Sequence, residues 1–345
     1  MVPGCVLASD ADFASSLQEQ EENILESAGQ IKVRAVLVPV WPIGAQSAGK
    51  GNAPIYSRII DGLTQPRYFR IYLDGKEQKL LDVLQEEQSF IRLGVLIEAG
   101  DAIGTHRIVI EGGLKQILEK QLRPADDYFF AIYDRQIRFL KNLGEKGPPI
   151  KELFKAARGK GREARFRDAL AAGLDKLSRQ TGPVKRILLV FRAAEAAEDA
   201  SATSSDELKE RALRANVQVV YFTFTYDTSK ERLSSEVSSI PSLTGGMNYV
   251  FARKTVGSEK LEELSRYYGI IQEIYASLKR ENLVGFSPSF DSPAAGACLS
   301  LRVELDGGPE VKKIRKRAGV DEIILAYPQQ YCLREEASSP EVNPF

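Results

Sequence analysis

The sequence predicts a mostly parallel α/β sheet with helices on both faces, inserted in a β-sandwich built from the N- and C-terminal segments. Three observations predict it. Between about Phe90 and Leu278 strand and helix patterns alternate, the signature of a parallel sheet covered on both sides. Before and after that stretch the apolar pattern is that of β-strands. With 345 residues, 43% of them hydrophobic, the chain is long enough for two ordinary cores.

Taken in order, residues 1–30 are a polar, Gln- and Glu-rich leader with a helical patch from Phe13 to Leu25. The N-terminal β part covers 31–89. Val33, Ala35 and Leu37 open an alternating strand that runs to Trp41, and a Gly/Ser/Ala-rich loop spans Gly44 to Pro54. Tyr68 to Leu73 meets Lys79, Leu80, Leu81 and Val83 across Asp74-Gly75, a strong hairpin signal. The α/β domain covers 90–280. Its strands are Leu93–Ile97, Tyr128–Tyr133 with a hairpin continuation through Ile137–Leu140, Ile187–Phe191 and Val217–Phe224. Its helices are Ile108–Gln121, Phe166–Gln180, Ser205–Ala215 with Ser205 as cap, and Ser258–Leu278. In the second, Phe166, Leu170, Leu174 and Leu177 repeat at helical spacing. The C-terminal β part covers 281–330, with strands at Leu283–Phe286, Ala297–Leu305, Val311–Arg317 and Ile323–Tyr327, and 331–345 is a flexible tail.

Composition narrows the function classes. Basic and acidic residues balance at 47 each, so no whole-molecule field favours nucleic acid or a membrane. No apolar run approaches the roughly 20 residues of a spanning helix. The start lacks a signal-peptide pattern, although Val2-Pro3-Gly4-Cys5 resembles the end of a lipoprotein signal. Three cysteines, Cys5, Cys298 and Cys332, are too few for a disulfide framework or zinc cluster, and the spacing leaves open whether Cys298 and Cys332 pair. One histidine, His106, excludes a multi-histidine metal site. Gly44 to Lys50 has phosphate-loop spacing, but Gly51 stands where a hydroxyl should meet magnesium and Pro54 prevents the helix. Lys312 to Arg317 reads as lysine protection of a β edge, and Asp126-Asp127 as a turn feature.

Several short motifs in this order resemble bacterial proteins of the von Willebrand factor type A-related family. They are Ile31 to Val40, Gly62-Leu63-Thr64 followed by Tyr68 to Lys76, Leu122 to Asp127, Leu243-Thr244-Gly245-Gly246, and Glu281 to Pro288. The resemblance implies a sheet whose strand ends hold a divalent cation through an Asp-x-Ser-x-Ser, a Thr and a second Asp. This sequence departs from that pattern. Glu98-Ala99-Gly100-Asp101-Ala102 replaces the first motif, Ala164 stands for the threonine, and Arg192 stands for the second aspartate. A guanidinium repels a cation, so the resemblance implies a degenerate metal site and no cofactor.

The residues expected to form the ligand-binding rim are Glu98, Gly100, Asp101, Ala102, Ala164 and Arg192. Either the site has decayed, or Arg192, paired bidentately with Glu98, supplies the charge the metal gave. Lys155, Arg158, Lys160, Arg162, Arg165 and Arg167 form a basic loop beside it. The function expected is a noncatalytic protein-binding module whose partner is acidic, not nucleic acid and not a small molecule. The alternative is a structural component that makes its contacts through the β-sandwich. The family resemblance also implies an exported protein.

Overall fold

The computed structural model describes residues 36–46, 55–86, 90–99, 103, 106–156, 164–179, 184–193, 199–225, 239–252, 271, 275, 281–288 and 298–332. The expected leader, the loop residues 47–54, most of the helix Ser258–Leu278 and the tail beyond Cys332 lie outside them.

The strands are β1 (Val36–Gln46), β2 (Ile55–Ile59), β3 (Phe69–Leu73), β4 (Lys76–Glu77), β5 (Lys79–Glu86), β6 (Phe90–Glu98), β7 (Asp127–Tyr133), β8 (Ile137–Lys141), β9 (Val184–Ala193), β10 (Gln218–Thr225), β11 (Asn248–Ala252), β12 (Glu281–Ser287), β13 (Cys298–Leu305), β14 (Glu322–Ala326) and β15 (Gln330–Cys332). The helices are α1 (Arg107–Gln116), α2 (Ile150–Ala156), α3 (Phe166–Ser178), α4 (Ser205–Ala215), α5 (Ile240–Leu243) and α6 (Pro309–Ala318). None of the described helices is long and apolar enough to cross a membrane.

Strands β6 to β11 form a six-stranded sheet in the order β11-β10-β9-β6-β7-β8. All neighbours are parallel except the edge pair, where β8 runs antiparallel to β7. Alternation divides the central strands between two cores. Val95, Leu189 and Phe191 pack on the side of α1 and α2, whereas Leu96, Leu188 and Val190 pack on the side of α3 and α4. This is why β6 and β9 read as near-continuous apolar runs. Gly94 makes the close approach possible, since a Cβ there would lie 2.5 Å from the Phe129 ring and 2.6 Å from Leu188.

The remaining strands form two antiparallel sheets, β14-β1-β12-β5 with β2 beside β1, and β15-β13-β3-β4. Both join the first segment of the chain to the last. Val38 faces Val284 across β1 and β12, and Ile71 faces Val303 across β3 and β13. The two sheets bury one shared core that includes Val38, Val40, Ile71, Leu73, Val284, Phe286, Leu301 and Val303.

Four details differ from the sequence expectation. Asp74 and Gly75, both at positive φ, make the expected turn, but it returns only β4; β5 leaves to pair with β12 in the other sheet. Helix α1 ends in a wider turn over Ile117–Gln121. The cap of α4 is Ser204, whose hydroxyl accepts from the Glu207 N–H at 3.1 Å, one residue earlier than expected. Val311–Arg317, expected as a strand, belongs to α6. Pro309 occupies its first turn and Gly319, at φ 66, its left-handed C-terminus. Val311, Ile314 and Ala318 recur at helical, not strand, spacing.

Candidate functional site

The carboxyl ends of parallel strands are where open α/β sheets hold ligands. Here Glu98 and Tyr133 close β6 and β7, Arg192 is the penultimate residue of β9, and Tyr221 stands in β10 opposite Val190. The alternation that sends Leu96 and Val190 toward α3 sends Glu98 and Arg192 there too, two residues on. Ala164 precedes α3 at the same end. Glu98, Ala164 and Arg192 are therefore brought together, but not as an exposed rim: their relative exposures are 7%, 5% and 5%.

The bidentate Glu98–Arg192 pair expected from the sequence is not formed. Glu98 Oε2 instead accepts from the Ala193 N–H at 2.9 Å. Burial pushes the Glu98 carboxyl above its ordinary range, against the opposing pull of that N–H and of the Arg192 charge. Arg192 lays its guanidinium over the Phe166 ring, 4.7 Å from the centroid. Its Nη2 donates to the Ala193 carbonyl at 3.3 Å, while Nε and Nη1 are buried with no hydrogen-bond partner among the described residues. Among the described residues the hydroxyls of Tyr133 and Tyr221 are buried and unpartnered as well, and burial raises the pKa of both. Phe166 holds this layer from above, its ring 5.9 Å from that of Tyr133 and 5.7 Å from that of Tyr221.

A second loop closes over the layer. Asp199 pairs with Ala164 in a parallel bridge, and its carboxylate accepts from the Phe166 N–H at 3.1 Å and from Arg167 Nε at 2.9 Å. Ser201 Oγ accepts from the Asp168 N–H at 3.1 Å. Asp168 in turn accepts from the Ala202 and Thr203 N–H groups at 3.1 and 2.8 Å. Burial raises the Asp168 carboxyl, but the bonds from Thr203 and Ala202 outweigh it and hold the pKa below the ordinary value. The amino end of α3 is thereby capped by the loop after β9, which leaves its free N–H groups satisfied from within the chain.

A divalent cation does not fit the described residues. Ala164 offers no side-chain oxygen, the Glu98 carboxyl is engaged by Ala193, and the Arg192 guanidinium in the same buried layer repels a cation. Among the described residues no group of three or more His, Cys, Asp or Glu is placed to hold a metal. Gly100, Asp101 and Ala102 lie outside the described residues, as do Arg158, Lys160 and Arg162 of the basic loop. Of that loop, Lys155 and Arg165 are exposed, whereas Arg167 is tied to Asp199.

Other residues singled out by the sequence sit elsewhere. His106 is buried with its ring 4.8 Å from Phe224, in the core on the α1 side. Asp126 accepts from the Ile91 and Arg123 N–H groups at 2.9 Å, and Asp127 pairs with Lys141 at 3.0 Å, at the amino end of the sheet. The sequence reading missed Tyr133 as more than core, and missed Asp168 and Asp199 altogether. The signal available was a carboxylate in the first turn of a predicted helix, which marks capping but not its partner.

No family model and no curated protein matches the chain. Solved structures similar to it include von Willebrand factor type A domains, as the motifs led us to expect. One is a von Willebrand factor type A protein from Catenulispora acidiphila, 9% identical, with 80% of this chain and 76% of that one covered at a TM-score of 0.42. The pilus adhesin SpaC from Lactobacillus rhamnosus GG is 12% identical over 67% of this chain and 36% of its own, at 0.39. The human COPII-coat protein Sec24c is 14% identical over 71% of this chain and 44% of its own, at 0.38. The chain thus spans under half the length of the last two. Likeness at this level says nothing of ligand or partner.

Proposed function

We propose that the chain is a noncatalytic protein-binding module, an α/β domain inserted in a β-sandwich, whose metal-ion-dependent adhesion site has degenerated. The observation that carries this reading is Arg192, a guanidinium built into the strand-end position where a cation would sit. In this reading Arg192 is an internal charge that replaces the ion in holding the strand-end loops, and its burial under Phe166 keeps it from touching a partner directly. The acidic partner meets the same face through its exposed cations, Lys155 and Arg165 among them, by charge complementarity. The sandwich is supported by the core shared between the two antiparallel sheets. Export is supported by Cys298, which is disulfide-bonded and faces Cys332 in the register of β13 and β15.

The test is fluorescence anisotropy with a labelled Glu-rich peptide at low salt, with and without EDTA. Binding should be insensitive to EDTA and should weaken about tenfold in Lys155→Glu/Arg165→Glu, roughly the loss expected when two rim charges are reversed. Binding that requires magnesium, manganese or calcium would overturn the degenerate-site reading. Binding unchanged by the charge reversal would remove this face as the docking surface.

A further inference from the structure

The segment expected to protect a β edge is instead a helix that presents a dense positive surface. Lys312, Lys313, Arg315, Lys316 and Arg317 are all exposed on α6. None of them makes an ion pair among the described residues. The one acidic residue of the helix, Glu310, turns away to pair with Arg67 at 2.9 Å. Ten residues thus hold five positive charges against one negative, in a chain whose total is balanced at 47 and 47. At 3.6 residues per turn the five side chains fan over about 200° of the helix surface, opposite the side that carries Val311, Ile314 and Ala318.

Folding does not account for this arrangement. Lys312 faces Arg315 and Lys316 at i+3 and i+4, and Lys313 faces Lys316 and Arg317 in the same way, so every neighbouring pair repels. Arg315, Lys316 and Arg317 suit the carboxyl end of the helix, but Lys312 and Lys313 stand in its first half, where the dipole disfavours cations. The charge is kept at a cost to the helix.

The geometry points to an electrostatic docking surface for an anionic phospholipid bilayer. Clusters of four to eight Lys and Arg on one amphipathic helix bind anionic headgroups at roughly a fivefold gain in affinity per residue. A tightly held protein partner would be anchored by large side chains at the centre of the contact, and the outward arc of α6 offers no apolar surface for them, since Val311 and Ile314 turn toward the shared core of the two antiparallel sheets. Single-stranded nucleic acid is disfavoured because the arc carries no aromatic on which a base could stack, and duplex DNA, whose phosphates the same cations would meet, is set against the vesicles in the test below. With its apolar side already buried, α6 adsorbs to the surface without inserting.

The experiment is co-sedimentation of the full chain with phosphatidylcholine vesicles, with and without added phosphatidylglycerol. Binding is expected only with phosphatidylglycerol, and salt should release it. In Lys312→Gln/Lys313→Gln/Lys316→Gln it should fall on the order of a hundredfold. The same substitutions relieve like-charge repulsion, so the melting temperature should hold or rise, which separates lost binding from lost folding. Equal binding to neutral vesicles, or unchanged binding by the variant, would overturn the inference. So would duplex DNA binding more tightly than the vesicles, or loss of Glu-rich peptide binding in this variant, which would place the acidic protein partner on α6. Retained peptide binding together with lost vesicle binding is the expected pattern, and it keeps this surface distinct from the strand-end face.

Discussion

Glu98 and Arg192 sit in one buried layer without a direct hydrogen bond between them, and their energetics differ from those of a paired bridge. Replacing a whole buried ion pair by apolar groups is often neutral or stabilising, because the desolvation penalty is large, whereas removing one partner leaves the other charge uncompensated. The pH dependence should expose this. Burial raises the folded-state pKa of Glu98, so its contribution is fully present below the unfolded value and is lost as pH rises through the folded one. Wild type should therefore lose stability relative to Glu98→Gln between acidic and neutral pH. Asp168 is held low by the Thr203 and Ala202 N–H groups, so its contribution is present above the unfolded value and lost as pH falls. The gap between wild type and Asp168→Asn should close on acidification. Urea unfolding of the three proteins across that range checks both signs; parallel curves would mean that neither carboxyl is perturbed.

At the scale of elements, the Leu243-Thr244-Gly245-Gly246 motif acquires a physical reason. Gly245 lies at φ 76, where a Cβ would stand 2.9 Å from Pro328, and a Cβ on Gly246 would stand 1.8 Å from the Val219 carbonyl oxygen. Thr244 completes the join by bonding the Val219 N–H at 3.1 Å. Gly246→Ala should cost about 3–5 kcal/mol, because the obstacle is backbone and cannot swing away. Calorimetry should show a sharply lower melting temperature, and a change within error would mean that the β10–β11 join is looser than its geometry. Element types were legible wherever period and punctuation agreed, as in α3 and β9. They were misread at α6, where basic residues between two apolar ones hid the helical spacing and the Pro309 and Gly319 boundaries were the better evidence. The Asp74-Gly75 turn was legible too, but whether the chain beyond it stays in the same sheet depends on distant partners.

Over the whole molecule, the chain ends are joined by pairing across long sequence separations, β1 with β12 and β3 with β13. The disulfide at Cys298 reinforces the last of these strands, at the β13–β15 pair. Cys298→Ser should lower stability by about 2–5 kcal/mol, the usual cost of removing a native disulfide. Denaturant unfolding with and without reductant measures it. If reductant leaves the wild-type midpoint unmoved, the bond contributes nothing to the pairing of the chain ends.

Local periodicity and turn chemistry were enough to determine the alternating sheet and, apart from α6, the β character of both flanks. Those properties reside in short windows, and a residue type is either present or absent there. Tertiary structure alone decided that Arg192 is buried under Phe166 and not presented, that Glu98 bonds Ala193 in place of Arg192, and that Asp168 and Asp199 lace two loops together. Each depends on groups brought together from distant parts of the chain, and a guanidinium reads the same in sequence whether it ends in water or beneath a ring.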